Sequence, residues 1–134
     1  MKFPRLRGYL SRMSDIRHLV TAYYPRIDAV DIDWVMALFA PGASYQRADV
    51  RYDGIAAIDH FFRVERQIRG THVIDRLWCD EATRTVFATG VFEGHGVAGD
   101  ARRAGFADIW RFDTDNHVTD RQTYLALGHA YVER

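Results

Sequence analysis

The residues best placed to move protons are Tyr23, Asp28, His72, His95 and Asp108. Asp108 is the most informative. The strand-like stretch Gly105–Phe112 puts Phe106, Asp108, Trp110 and Phe112 on one face, so a carboxylate stands among rings that should point inward. A buried carboxylate must pair, accept hydrogen bonds or keep its proton. If it keeps the proton, it can serve as acid, base or neutral donor at neutral pH. If an arginine or a backbone N–H satisfies it, its role is structural. Should Ala107 and Ile109 form the inner face instead, Asp108 meets solvent.

His72 opens the strand Thr71–Asp80 and shares a face with Ile74 and Trp78, and with Arg76 as well. His95 ends the next strand between Gly94 and Gly96. In a hairpin the two imidazoles lie towards the same end and could divide base and acid roles; the flanking glycines of His95 equally suit a bulge or turn. Tyr23 falls on an apolar helical stripe, so its hydroxyl needs a partner, either a substrate oxyanion or the backbone. Asp28, where that helix ends, could orient a histidine or cap the next helix.

Other chemistry lacks its signature. No HExxH, no two-His-one-carboxylate spacing and no glycine-rich phosphate loop is present, so neither metal nor cofactor is expected. There is no GxSxG, and the single cysteine, Cys79, has no identifiable activating base and no disulfide partner. His18, His60 and His117 fall on polar surface, and His129 has no assigned role. Arg66, Arg69, Arg102 and Arg103 read as surface charge.

These side chains need a scaffold. The 134 residues include 18 Lys+Arg and 18 Asp+Glu, for a formal net charge of zero, and 48% are hydrophobic. That suits one globular domain, 14–134, after a basic tail, 1–13. Zero net charge argues against a nucleic-acid or membrane-surface partner, both of which need concentrated basic charge. No apolar run approaches the ~20 residues of a membrane helix, and MKFPRLRGYLSRMS does not resemble a signal peptide, so a cytoplasmic location is expected. Translation could begin at Met1 or Met13.

Ser14 or Asp15 caps a helix with Ile16, Leu19, Val20, Tyr23 and Ile27 on one stripe. Asp31 or Asp33 opens a second helix, ended by Pro41-Gly42, and a short strand follows at 43–46. Asp53 caps a third helix that Gly70 closes. From Thr71 the apolar period becomes two, giving strands at about 71–80, 84–97, 103–113 and 118–128 with short turns between them. The expectation is an α+β domain, three N-terminal helices packed on a strongly curved antiparallel sheet, cone-shaped and open at one end. Aromatic walls from Trp34, Phe62, Trp78, Phe106 and Trp110 would hold a flat apolar substrate.

The element order and the string DIDWVMALFAPGASYQRADVRYDGIAAIDHFF (31–62) resemble the SnoaL-like group of the nuclear transport factor 2-like superfamily over about residues 14–128. The phrases ALFAPGAS and YDGIAAIDHFF carry the likeness to the fold and say nothing of the reaction. The superfamily includes ketosteroid isomerases, polyketide cyclases, scytalone and bile-acid dehydratases, and non-catalytic members. The resemblance places the isomerase oxyanion-hole tyrosine on Tyr23 and its aspartate on Asp108, but puts arginine, Arg47, where the base belongs. The dehydratase pattern matches Tyr23, Asp28 and His72 (in GTHVID), with His95 as a second histidine; the late-strand aspartate of the cyclases matches Asp108. The resemblance implies cofactor-free acid–base chemistry on a hydrophobic cyclic or polyketide-like molecule: dehydration first, isomerisation or cyclisation next. The alternative is a ligand-binding or assembly module without chemistry. It also implies a homodimer through the outer sheet face, where one phase turns Val86, Val91 or Phe92 outward.

Overall fold

A computed structural model describes the backbone of residues 4–127 and the side chains from residue 15 onward; His129 lies outside this range. Helix α1 (Pro4–Asp28) buries Ile16, Val20, Tyr23, Tyr24 and Ile27, one stripe at helical spacing. It starts ten residues before the cap expected at Ser14, so the stretch marked by composition as a tail enters the helix at Pro4. Proline suits a first turn, where its missing N–H has no intrahelical acceptor to lose. Asp31 caps α2 (Ile32–Ala37) by accepting from the Trp34 N–H.

The chain then extends earlier than Pro41-Gly42 suggests. Strand β1 (Phe39–Arg47) absorbs that dipeptide in an irregularity between Phe39 and Ser44, and β2 (Val50–Asp53) pairs back onto it. Helix α3 (Ile55–His60) is capped by Gly54, at φ 87°, rather than by Asp53. A π-helical turn (Phe61–Glu65) follows, in which the Arg66 N–H reaches the Phe61 carbonyl. Gly70 therefore lies inside β3 (Arg69–Asp80), not at a helix end; β4 (Thr85–His95), β5 (Ala101–Phe112) and β6 (Val118–Ala126) complete the chain.

The class is α+β, with helices covering a curved sheet, but two expectations change. Helix α3 lies between β2 and β3, so only α1 and α2 precede the sheet. The sheet, in the order β2-β1-β6-β5-β4-β3, is mixed, because β1 and β6 run parallel. Short turns make β3 to β6 an antiparallel meander. The last strand then returns beside a distant one, where no hairpin fixes the direction.

A register shift between Ile74 and Arg76 in β3 matters most for the site. One extra residue reverses the inward–outward phase. His72 and Ile74 face the helices before it; after it Leu77 and Cys79 do, and Trp78 is turned out, 46% exposed. On β4 the even residues face inward: Val86 and Phe92 are buried. They are not the outer patch expected of them. Among the described residues no helix is long and apolar enough to cross a membrane.

Candidate active site

Sheet register builds the polar part of the inner wall. Asp108 on β5 faces Thr123 on β6, Trp110 faces Arg121, and Arg121 in turn faces Tyr45 on β1. All five side chains are buried. Asp108 sits inward, as the alternation of β5 predicts, and accepts three hydrogen bonds: from the Tyr24 hydroxyl at 2.5 Å, from Arg121 Nη2 at 3.0 Å and from the Thr123 hydroxyl. Its oxygens are therefore occupied by protein donors, the arrangement that the sequence left open beside a free acid or donor. An ion-paired carboxylate has no proton to give an oxyanion. Tyr45 in turn hydrogen-bonds the Thr123 hydroxyl at 3.2 Å, and Trp110 Nε1 donates to the Tyr24 oxygen at 3.2 Å.

Arg121 holds this group together. Its guanidinium carbon lies 4.1 Å from the centroid of the Trp110 ring and 4.6 Å from those of Tyr23 and Tyr45. Its Nε finds no hydrogen-bond acceptor among the described residues and faces this ring environment. Burial works against its charge, but Asp108 and the tyrosines outweigh that and hold its pKa well above the ordinary value.

Arg121 Nη1 also donates to the Tyr23 oxygen at 2.8 Å. The Tyr23 proton has no acceptor among the described residues. Burial pushes the Tyr23 pKa up to about 12, with Arg121 acting in the opposite sense, so at neutral pH it is a phenol with a proton to donate.

The last residue of α1 supplies the second unit. Asp28 accepts the His72 backbone N–H at 2.8 Å through one oxygen and lies 2.5 Å from His72 Nδ1 through the other. A carboxylate on Nδ1 assigns the ring proton to that nitrogen and leaves Nε2 as the basic atom. Burial lowers the His72 pKa below its ordinary value, although Asp28 pulls the other way. The ring packs against Tyr24, Phe92 and Phe106, at centroid distances of 5.5, 4.9 and 5.3 Å.

Tyr23, His72 and Asp108 line one cavity of about 260 Å³, near the lower end of the ~300–1,000 Å³ usual for ligand pockets. Phe62 and Phe106 line it as well. Trp110 is fully buried in the core beneath Arg121 rather than on the cavity wall. Trp34 packs on the far side of α2 under Arg26, and Trp78 faces out, so neither reaches the cavity. His95 is exposed and pairs in register with Arg69 and Ala101, three positions beyond the residue facing His72, so the two histidines do not meet. Arg66 is half-buried and lines the cavity, contrary to its reading as surface charge; Arg102 and Arg103 stand at the cavity and are exposed, as read.

Sequence reasoning missed Tyr24, Tyr45, Arg121 and Thr123. A signal existed: on β6, Arg121 and Thr123 alternate onto the same inner face as Asp108, one short turn away. Among the described residues no three His, Cys, Asp or Glu side chains gather as a metal site.

No protein-family model and no curated protein sequence matches the chain. Solved structures do match. An NTF2-like protein of unknown function from Burkholderia pseudomallei superposes with a TM-score of 0.75 at 18% identity, covering 86% of this chain and 93% of that one. A putative SnoaL-like polyketide cyclase from Shewanella denitrificans gives 0.70 at 14% identity, covering 82% and 89%. The fold is SnoaL-like and NTF2-like. A hypothetical protein with a ketosteroid isomerase-like fold from Catenulispora acidiphila, in complex with trimethylamine, gives 0.69 at 20% identity, covering 81% and 85%. At these identities the likeness concerns the SnoaL-like fold alone.

Proposed function

We propose that this protein is a cofactor-free acid–base enzyme acting on a compact carbonyl compound, with dehydration as its first-choice reaction. One observation carries the reading: after the hydrogen bonds among the described residues are assigned, the His72 Nε2 lone pair and the Tyr23 hydroxyl proton are left over on one cavity wall. A purely structural site would have both satisfied. A neutral imidazole oriented by a carboxylate is a general base, and a phenol fixed by an arginine is an oxyanion donor.

In this mechanism Nε2 removes a proton from the carbon alpha to a carbonyl, and the electron pair moves onto the carbonyl oxygen, which accepts the Tyr23 hydrogen bond. The enolate then expels the beta hydroxyl; the imidazolium Nε2 proton goes to that oxygen and water leaves, restoring neutral His72. Asp28 keeps the ring in its Nδ1–H tautomer. Phe62 and Phe106 exclude water. Isomerisation shares the first half, returning the proton to another carbon. Cyclisation with Asp108 as base is disfavoured by the three donors on its carboxylate.

A small-molecule partner suits the cavity, and the Catenulispora protein of similar fold is itself described with a small ligand. The reading includes a cytoplasmic homodimer, joined through the outer sheet face where Val73 and Tyr124 are 57% and 55% exposed. The test is proton exchange: a panel of one- and two-ring beta-hydroxy ketones is incubated in deuterium oxide and followed by NMR. At least one compound exchanges its alpha proton with the wild type and not with His72→Ala. No exchange across the panel, or equal exchange by the variant, overturns the reading.

A further inference from the structure

The cavity wall carries an excess of positive charge. Its charged side chains are Arg47, Arg66, Arg102, Arg103, Arg121 and Asp108. Asp108 is taken by Arg121, and Arg102 pairs with Asp100 at 2.6 Å. Arg47, Arg66 and Arg103 pair with no carboxylate among the described residues, and of these Arg103 is exposed to solvent. The acid next to Arg66 in the chain, Glu65, is held by Tyr52 and His60, each at 3.0 Å.

Arg47 and Arg66 both flank Phe61. The Arg47 guanidinium lies 5.6 Å from the centroid of its ring, and the Arg66 backbone N–H donates to its carbonyl at 2.8 Å. Arg66 is half-buried, and among the described residues its guanidinium makes a single long hydrogen bond, 3.4 Å to the Ile68 carbonyl. Burial lowers its pKa, and the charges of Arg69 and Arg47 add to that. A half-buried cation beside a second cation, without a counter-charge, stays unfavourable until an anion arrives. A guanidinium fork matches the two coplanar oxygens of a carboxylate, and the phenylalanines beside it suit an apolar body.

We infer that the cavity takes a compact apolar molecule ending in a carboxylate, with Arg66 as its principal anchor and Arg47 beside it. The inference rests on the cavity being the substrate site, and it narrows the substrate from apolar ring compounds to their acids.

Calorimetric titration tests it with 2-naphthoate, its neutral analogue 2-naphthamide, and 2-naphthyl phosphate. Wild-type protein binds naphthoate roughly ten- to a hundred-fold more tightly than the amide. Arg66→Gln removes most of that preference while leaving amide affinity unchanged; Arg47→Gln acts in the same direction. Arg76→Gln, on the exposed part of β3, changes nothing. If Arg66→Gln does not fold, the wild-type comparison and Arg47→Gln decide. Equal affinity for acid and amide, no saturable binding of the acid, a preference that survives both arginine variants, or tighter binding of the phosphate overturns the inference. The readout is affinity, so its failure leaves His72-dependent exchange standing, and the reverse also holds.

Discussion

The proposed chemistry rests on two atoms whose neighbours among the described residues leave them free. His72 Nε2 is basic because Asp28 occupies the other ring nitrogen, and the Tyr23 proton is free to be donated because Arg121 occupies its oxygen. Tyr23→Phe keeps the ring packing and removes the oxyanion donor. It should lower kcat about 10²–10³-fold, as loss of one such donor does elsewhere. Steady-state kinetics on a substrate found by the exchange panel checks this. A kcat within a factor of two of wild type would remove Tyr23 from the mechanism. The Tyr23–Asp28–His72 set was legible from residue types together with the family resemblance. The state of Asp108 was not, because alternation assigns a face but does not say which donors wait there.

Elements decide which candidates meet. The strand pattern from Thr71 onward recovered β3 to β6 within a few residues, since period-two alternation and turn residues are strong local signals. It failed at Trp78 because a single-residue register shift leaves no mark in composition. Gly90 reflects that irregularity. A Cβ there would meet the Val73 carbonyl at 2.2 Å and the Phe106 ring at 3.0 Å. Gly90→Ala should destabilise the fold by about 1–3 kcal/mol, measured by urea unfolding, since backbone cannot yield as a flexible side chain can. Unchanged stability would mean that β3 does not approach β4 this closely. Cross-strand register likewise makes Asp108 and Arg121 one unit. Asp108→Asn leaves a buried guanidinium without its counter-charge and should cost about 3–5 kcal/mol in thermal unfolding. A melting temperature equal to wild type would contradict the ion-pair assignment.

At the scale of the whole molecule, a curved sheet closed by α1 and the π-helical turn makes an aromatic cavity whose wall carries more cation than anion. Composition hid this, because the charges of the chain sum to zero while those of the cavity do not. The outer face is a different surface. Val73, Val91, Ala107 and Tyr124 line a shallow apolar hollow across four strands. Light scattering after gel filtration should give twice the 15.5 kDa chain mass, and Tyr124→Glu should shift it towards one chain. A wild-type mass of one chain would sink the homodimer.

Proton transfer at this site turns on the protonation of one ring, that of His72. Nitrogen-15 NMR of histidine-labelled protein, with His72 assigned by its loss in His72→Gln, reads this directly across pH. The neutral ring should carry its proton on Nδ1, and its titration midpoint should lie below the ordinary histidine value of about 6.5. Activity would then fall only as pH drops through that lowered midpoint, where Nε2 gains a proton and ceases to be a base. A proton on Nε2 at neutral pH, or a midpoint above 6.5, would contradict the mechanism.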